Sequence, residues 1–100
     1  MEKLLQDNKV ILKLHEDLIA ANVRQYNMSV VELLEQDMAY DELVLDLSET
    51  ENIDSVGVTF VISLYKTCLS DGKDFRVSGG NDDIIQLFRL MKLDEFFDLD

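Results

Sequence analysis

One hundred residues, 47% hydrophobic and 30% charged, suit a single globular domain over residues 1–100 with a modest core, and exclude a disordered chain. The net charge of −12, from 21 acidic against 9 basic residues, argues against nucleic acid and anionic membrane as partners, since both demand clustered Lys and Arg. It is compatible with steered binding to a basic protein, or with simple solubility. No apolar run nears the ~20 residues of a membrane span, and the start MEKLLQDNK lacks a signal-peptide pattern, so the expectation is a soluble, cytoplasmic protein.

Residues 1–6 read as a short edge strand, ended by a polar turn at Asp7-Asn8. KVILKLH places Val10, Leu12 and Leu14 on one face of a second strand. After the loop EDLIAAN, a helix runs to about Gln36. Asn22 with Gln25 and Ser29 with Glu32 both look like capping boxes. The stripe Val23, Tyr26, Val30, Leu33 and Leu34 favours a start at Asn22. ELVLDL is apolar enough for the middle of a sheet.

The loop SETENID leads to a second helix, from Val56 to about Ser70, with Val58, Val61, Ile62, Tyr65 and Leu69 at helical spacing. Asp71-Gly72 ends it, and DFRVSG is the next strand. Gly79-Gly80-Asn81 turns into a third helix, with Asp82 and Asp83 at its positive end and Ile84, Ile85, Leu87, Phe88 and Met91 as its apolar face. DEFFDL reads as a last short strand. A hairpin followed by alternating strands and helices predicts an α/β fold: a small mixed sheet of four to five strands with three or so helices packed on it.

The chemistry narrows quickly. Ser55 lacks the Gly-x-Ser-x-Gly elbow, and the single histidine, His15, sits at a strand end, so a serine triad is not expected. Asp46, Ser48, Thr50 and Asp54 suggest a calcium loop, but Glu51 stands where glycine is required and Gly57 where the bidentate glutamate belongs. A solvated acidic loop fits better. Gly79-Gly80 is followed by Asn81, Asp82 and Asp83, whose charges repel a phosphate, so an ordinary strand-to-helix turn is expected. Cys68, the lone cysteine, lies in an apolar helical pattern and reads as a buried thiol. With no nucleophile–base pair and no metal set, the chain is expected not to be an enzyme and to need no cofactor.

Ser55 remains. Serine before a helix caps free N–H groups, and Asp54 could do the same, so one of the two is dispensable for capping. Gly57 in the first turn costs about 1 kcal/mol relative to alanine, which makes sense if something approaches the backbone closely. A phosphate on Ser55 would sit at a helix N-terminus and add charge beside Glu49, Glu51 and Asp54.

The order strand, acidic loop, Asp-Ser-x-Gly and amphipathic helix in LVLDLSETENIDSVGVTFVISLYK resembles the STAS domain family, and within it the single-domain bacterial anti-sigma factor antagonists. KVILKLHEDLIAAN corresponds to the family's early strand and Gly-Glu-Leu-Asp segment, and GKDFRVSGGNDDIIQLFRLMKLDEFFDL to its closing strand–helix–strand. The resemblance implies a regulator of transcription that works by partner switching. Unphosphorylated, it would bind an anti-sigma factor that is also a serine kinase; phosphorylation of Ser55 would end that binding, and a serine phosphatase would restore it. It further implies a docking surface containing Asp17, Asn52, Ile53, Asp54, Val56, Gly57 and Val58. The alternative is a phosphorylation-independent STAS subunit of a signalling or lipid-transport assembly. Two departures stand out: Val56 replaces the family's second motif serine, and Glu16-Asp17-Leu18-Ile19 lacks the glycine and the final acid of the early segment.

Overall fold

The structure, a computed structural model, describes residues 1–36 and 39–100; the side chains of residues 33–36 are not included. Five strands form one sheet: β1 (Glu2–Gln6), β2 (Lys9–Lys13), β3 (Glu42–Asp46), β4 (Asp74–Ser78) and β5 (Asp98–Leu99). They are ordered as in the sequence, β1 antiparallel to β2 and the rest parallel, with ELVLD in the middle as its apolar run predicts. The β1–β2 turn holds Asp7 at φ 51° and Asn8 at φ 66°, the left-handed conformation that these two residue types tolerate and a tight hairpin needs.

Three helices connect the parallel strands: α1 (Ala20–Gln36), α2 (Ser55–Ser70) and α3 (Asp82–Leu90). With strands in sequential order, right-handed crossovers place all three on the same face of the sheet. The register shows that face directly. Val10, Leu43 and Phe75 stand side by side, as do Leu12, Leu45 and Val77, and all six are buried in one cluster with the inward side chains of the helices. The opposite face carries the alternate positions and an ion row: Glu42 reaches Lys9 (3.5 Å) and Arg76 (2.6 Å), and Arg76 reaches Asp100 (3.7 Å).

Four expectations change. Helix α1 starts at Ala20, two residues before the predicted Asn22, and Asn22 instead donates its side-chain amide to the Asp17 carbonyl (2.8 Å). Val23, Tyr26 and Val30 are buried as expected, whereas the Leu33 and Leu34 end of that stripe lies outside the described residues. In α2 the buried side is Val58, Phe60, Val61, Leu64 and Cys68; Ile62 and Tyr65 are half-buried and Leu69 faces solvent at 64% exposure. Packing between a sheet and neighbours on both sides buries more of this helix than a single stripe, so spacing alone does not say which edge is wet. In α3, Ile84 and Phe88 are buried and Ile85 and Leu87 half-buried, but Met91 is exposed.

The predicted last strand shrinks to two residues. DEFF enters through a 3-10 turn, Leu93–Glu95, after Lys92 reverses the chain at φ 62°. Phe97 then turns inward, edge-on to Phe75 with ring centres 5.0 Å apart, and Phe96 stays outside. Cys68 is buried as its helical setting predicts, and burial pushes its thiol up to about 12, which leaves it unreactive near neutral pH. Among the described residues, no helix is long and apolar enough to cross a membrane.

Candidate functional site

Parallel strands deliver their following loops to one end of the sheet, and three loops meet there: residues 14–19 after β2, 47–54 after β3 and 79–81 after β4. Loop 47–54 is SETENID with its flanks, read from the sequence as simply solvated. It is instead pinned on several sides. Thr50 is buried at 3% exposure, its hydroxyl donating to the Glu16 carbonyl (3.2 Å). Leu18 and Ile53 form a parallel bridge, in which Leu18 N–H donates to the Asn52 carbonyl (2.9 Å) and Asp54 N–H to the Leu18 carbonyl (3.2 Å). Asn81 donates its side-chain amide to the Glu51 carbonyl (3.0 Å).

Asp17 is the brace between the first two loops. One carboxylate oxygen accepts from Glu51 N–H (3.1 Å) and Asn52 N–H (3.2 Å), the other from the Asn52 side-chain amide (3.0 Å). These bonds, the Asn52 side chain first, hold its pKa below the ordinary carboxylate value. Asp17 and Asn52, which the family resemblance only places in one docking surface, are thus in direct contact.

Asp54 does still more. Oδ1 accepts from Gly57 N–H (2.8 Å), capping α2, and Oδ2 accepts from Ala20 N–H (2.9 Å), the first residue of α1. One carboxylate closes two helix N-termini, and donation from Ala20 and then Gly57 depresses its pKa. This explains the early start of α1. The residue before Ala20 is Ile19, which has no side-chain acceptor, and the missing cap arrives from the other loop.

The same geometry settles which of two neighbours caps α2. Asp54 is the N-cap; Ser55 is the first helical residue, exposed, with no side-chain hydrogen bond among the described residues. Its carbonyl accepts from the Thr59 hydroxyl (3.0 Å), and the residue itself is exposed. The close approach inferred at Gly57 comes from within the molecule. A Cβ there would lie 1.9 Å from the Leu18 carbonyl oxygen, the atom that also accepts from Asp54 N–H. Loop 14–19 therefore presses directly on the first turn of α2.

The residues singled out from the sequence separate accordingly. Ser55, Asn52 and Val56 are exposed; Asp17, Ile53 and Asp54 are half-buried. Gly57 and Val58 are buried and shape the surface from below. Sequence reasoning missed Leu18, Thr50 and Asn81, because each contributes through the backbone or to it across loops 30 or more residues apart, and no residue-type signal marks that. His15 lies exposed at the strand end as expected, with Nδ1 2.6 Å from Glu49 and Nε2 3.1 Å from Glu2; the first of these bonds lowers the pKa of Glu49. No group of three or more His, Cys, Asp or Glu among the described residues is placed to hold a metal ion.

Comparison with known proteins adds the context. The family model described as the STAS domain matches residues 1–100. A crystal structure from Thermotoga maritima, assigned as an anti-sigma factor antagonist (TM1081), is 25% identical with a TM-score of 0.88, over 99% of this chain and 85% of that one. A sulfate transporter family protein from Wolinella succinogenes shares the fold at 15% identity and a TM-score of 0.78, over 98% and 81%. The anti-sigma factor antagonist SpoIIAA, in its unphosphorylated form, shares it at 14% identity and 0.72, over 99% and 86%.

Proposed function

This chain belongs to the STAS domain family, and on that premise we propose that it is an anti-sigma factor antagonist switched by phosphorylation of Ser55. In the unphosphorylated state it binds an anti-sigma factor that is also a serine kinase. The kinase transfers the terminal phosphoryl group of ATP to the Ser55 hydroxyl, releasing ADP and the hydroxyl proton, and the modified protein lets go. A serine phosphatase reverses the step. Asp17, Asn52, Ile53, Asp54 and Val56 build the docking surface at the loop end of the sheet, with Gly57 and Val58 beneath it.

The observation that carries this reading is the division of labour between Asp54 and Ser55. Asp54 takes the capping role, so the adjacent hydroxyl is exposed and unengaged at the N-terminus of a helix whose first turn is braced from two sides. The helix dipole favours an anion at that position. Beside Glu51 and Asp54, a phosphate also raises local negative charge sharply, which a docked partner would feel. The likeness to the T. maritima protein supports the same role.

The test is to incubate the protein with ATP and the cognate kinase, then locate the modification by mass spectrometry. Modification at Ser55, strong binding by Ser55→Ala and weak binding by Ser55→Asp are expected. A kinase that binds both variants equally well removes the switch. The second reading is a phosphorylation-independent subunit of a larger signalling or lipid-transport assembly; what supports a role outside sigma-factor control is that the same fold occurs in a sulfate transporter family protein. It expects partner binding to survive in both variants.

A further inference from the structure

The acidity of this chain stops at a boundary. Residues 20–31 and 55–70 contain no Asp or Glu at all, only Arg24 and Lys66, although 21 of the 100 residues are acidic. These stretches are not simply core. They include Met28, Val31, Val56 and Leu69, exposed by 68, 58, 43 and 64%. Their exposed polar positions are filled by residues such as Asn27, Thr59, Ser63 and Thr67, all weaker helix formers than Glu or Lys. Neither solubility nor helix stability accounts for that choice, since glutamate would serve both better.

Ser55, Thr59, Ile62, Lys66 and Leu69 follow one another at spacings of three and four, so they form one stripe along α2. Beside it, Ile62, Tyr65, Lys66, Leu93, Phe96 and Phe97 line an apolar cleft of about 240 Å³, with Phe96 60% exposed at its mouth. Acidic residues resume around the margin: Asp17 and Glu51 at the loop end, Asp71 at the far end of α2, Asp94 and Glu95 next to Phe96. The open face of the sheet is the opposite case, with its charges paired to one another across Lys9, Glu42, Arg76 and Asp100. A charge-depleted centre with exposed apolar side chains and a charged rim is the composition of a protein-binding surface.

We infer that the outer faces of α2 and α1 form a docking surface for a different protein whose contact region is apolar at its centre and rimmed by Lys and Arg, one of its apolar side chains entering the cleft at Phe96. A second copy of this chain does not fit, because acidic rim would meet acidic rim between molecules of net charge −12. Ser55 lies at the edge of this face rather than at its centre, so the surface goes beyond the switch and rests on the charge pattern together with the exposed apolar side chains and the cleft.

Site-specific photo-crosslinking in the native host tests it, with p-benzoylphenylalanine placed at Thr59 or Leu69 on the helical face, or at Leu4 on the open face of the sheet. The expected result is a discrete protein adduct from Thr59 and Leu69 and none from Leu4, with a cross-linked peptide that is apolar and flanked by Lys or Arg. Val56→Glu combined with Leu69→Glu, both at exposed positions and checked for an unchanged circular dichroism spectrum, should cut the yield roughly tenfold or more. Adducts chiefly from Leu4, an adduct indifferent to the glutamates, an acidic partner peptide, a self-adduct or no adduct would each overturn the inference. Repeating the measurement in Ser55→Asp separates the two proposals. Loss of the adduct shows that the switching partner uses this face, and persistence leaves the surface in place as one used by a protein other than the switching kinase.

Discussion

The starts of α3 and α1 solve one physical problem in opposite ways. Both must satisfy N–H groups that have no partner inside the helix. Helix α3 does so locally: Asn81 accepts from Ile84 N–H (2.9 Å), and Asp82 and Asp83 complement the dipole in the next two positions. Helix α1 has only Ile19 at its threshold and receives its cap from Asp54, 34 residues further on. A local cap fixes one helix. A shared one fixes two helices relative to each other, and with them the position of Ser55 between Asp54 and the first turn of α2. The difference predicts that damage at the α3 cap stays in α3 and the Glu51 loop it touches, while damage at the Asp54 junction reaches both α1 and α2.

Gly57→Ala should break the junction most severely. The new Cβ would meet the Leu18 carbonyl oxygen at 1.9 Å and its carbon at 2.8 Å, both backbone atoms that cannot swing aside. Alanine gains about 1 kcal/mol in helix propensity, but separating loop 14–19 from α2 also strains the Leu18–Asp54 hydrogen bond. A net loss of roughly 3 kcal/mol is expected, at the upper end for overpacking, measured as a fall in the urea midpoint. Wild-type stability would mean that the two segments do not touch.

Asp54→Ala comes next. It strips the cap from α1 and α2 together, so amide exchange should quicken at both Ala20 and Gly57 while Ile84 keeps its protection. Acid reproduces the effect without mutation. Because the folded pKa of Asp54 lies below its ordinary value of 3.8, its contribution is present above that value and lost as pH falls through the depressed one. Asp17 behaves the same way toward Glu51 and Asn52. Amide resonances of Ala20 and Gly57 should therefore titrate together, with a midpoint below 3.8. Separate midpoints would dissolve the shared cap.

What the sequence disclosed, and what it hid, follows the same line between local and distant. The face Val10, Leu12, Leu14 is legible because a strand alternates every residue, and α3 because its cap, dipole complement and buried apolar residues fall within eight residues, from Asn81 to Phe88, although Met91, read as part of that face, is exposed. Gly57 announced a close approach but not its source, since nothing in residues 14–19 says that the Leu18 carbonyl will arrive there. Thr50 sits in an acidic loop and reads as solvated until its hydroxyl finds the Glu16 carbonyl. Phe96 and Phe97 are identical in type, and only the turn at Lys92 decides which goes in.

Asn81→Ala probes the local case. Losing its cap should cost about 1 kcal/mol, with the faster exchange confined to the first turn of α3 and to the loop at Glu51 that Asn81 also holds. Spread of that damage to Ala20 or Gly57 would erase the distinction between the two kinds of helix start.

Ser55→Ala should do least of all, and that small effect is informative. Its hydroxyl is exposed and caps nothing, because the Gly57 N–H is already bound by Asp54. Alanine is also the better helix former, so stability should stay within about 0.5 kcal/mol of the wild type. A drop of about 1 kcal/mol, the usual value of an N-cap, would show that serine shares the capping after all. If the midpoint holds, any change in kinase-dependent phosphorylation or partner release in this variant belongs to the missing hydroxyl and not to a weakened fold. The same inference does not extend to Asp54→Ala, where loss of function and loss of the junction arrive together.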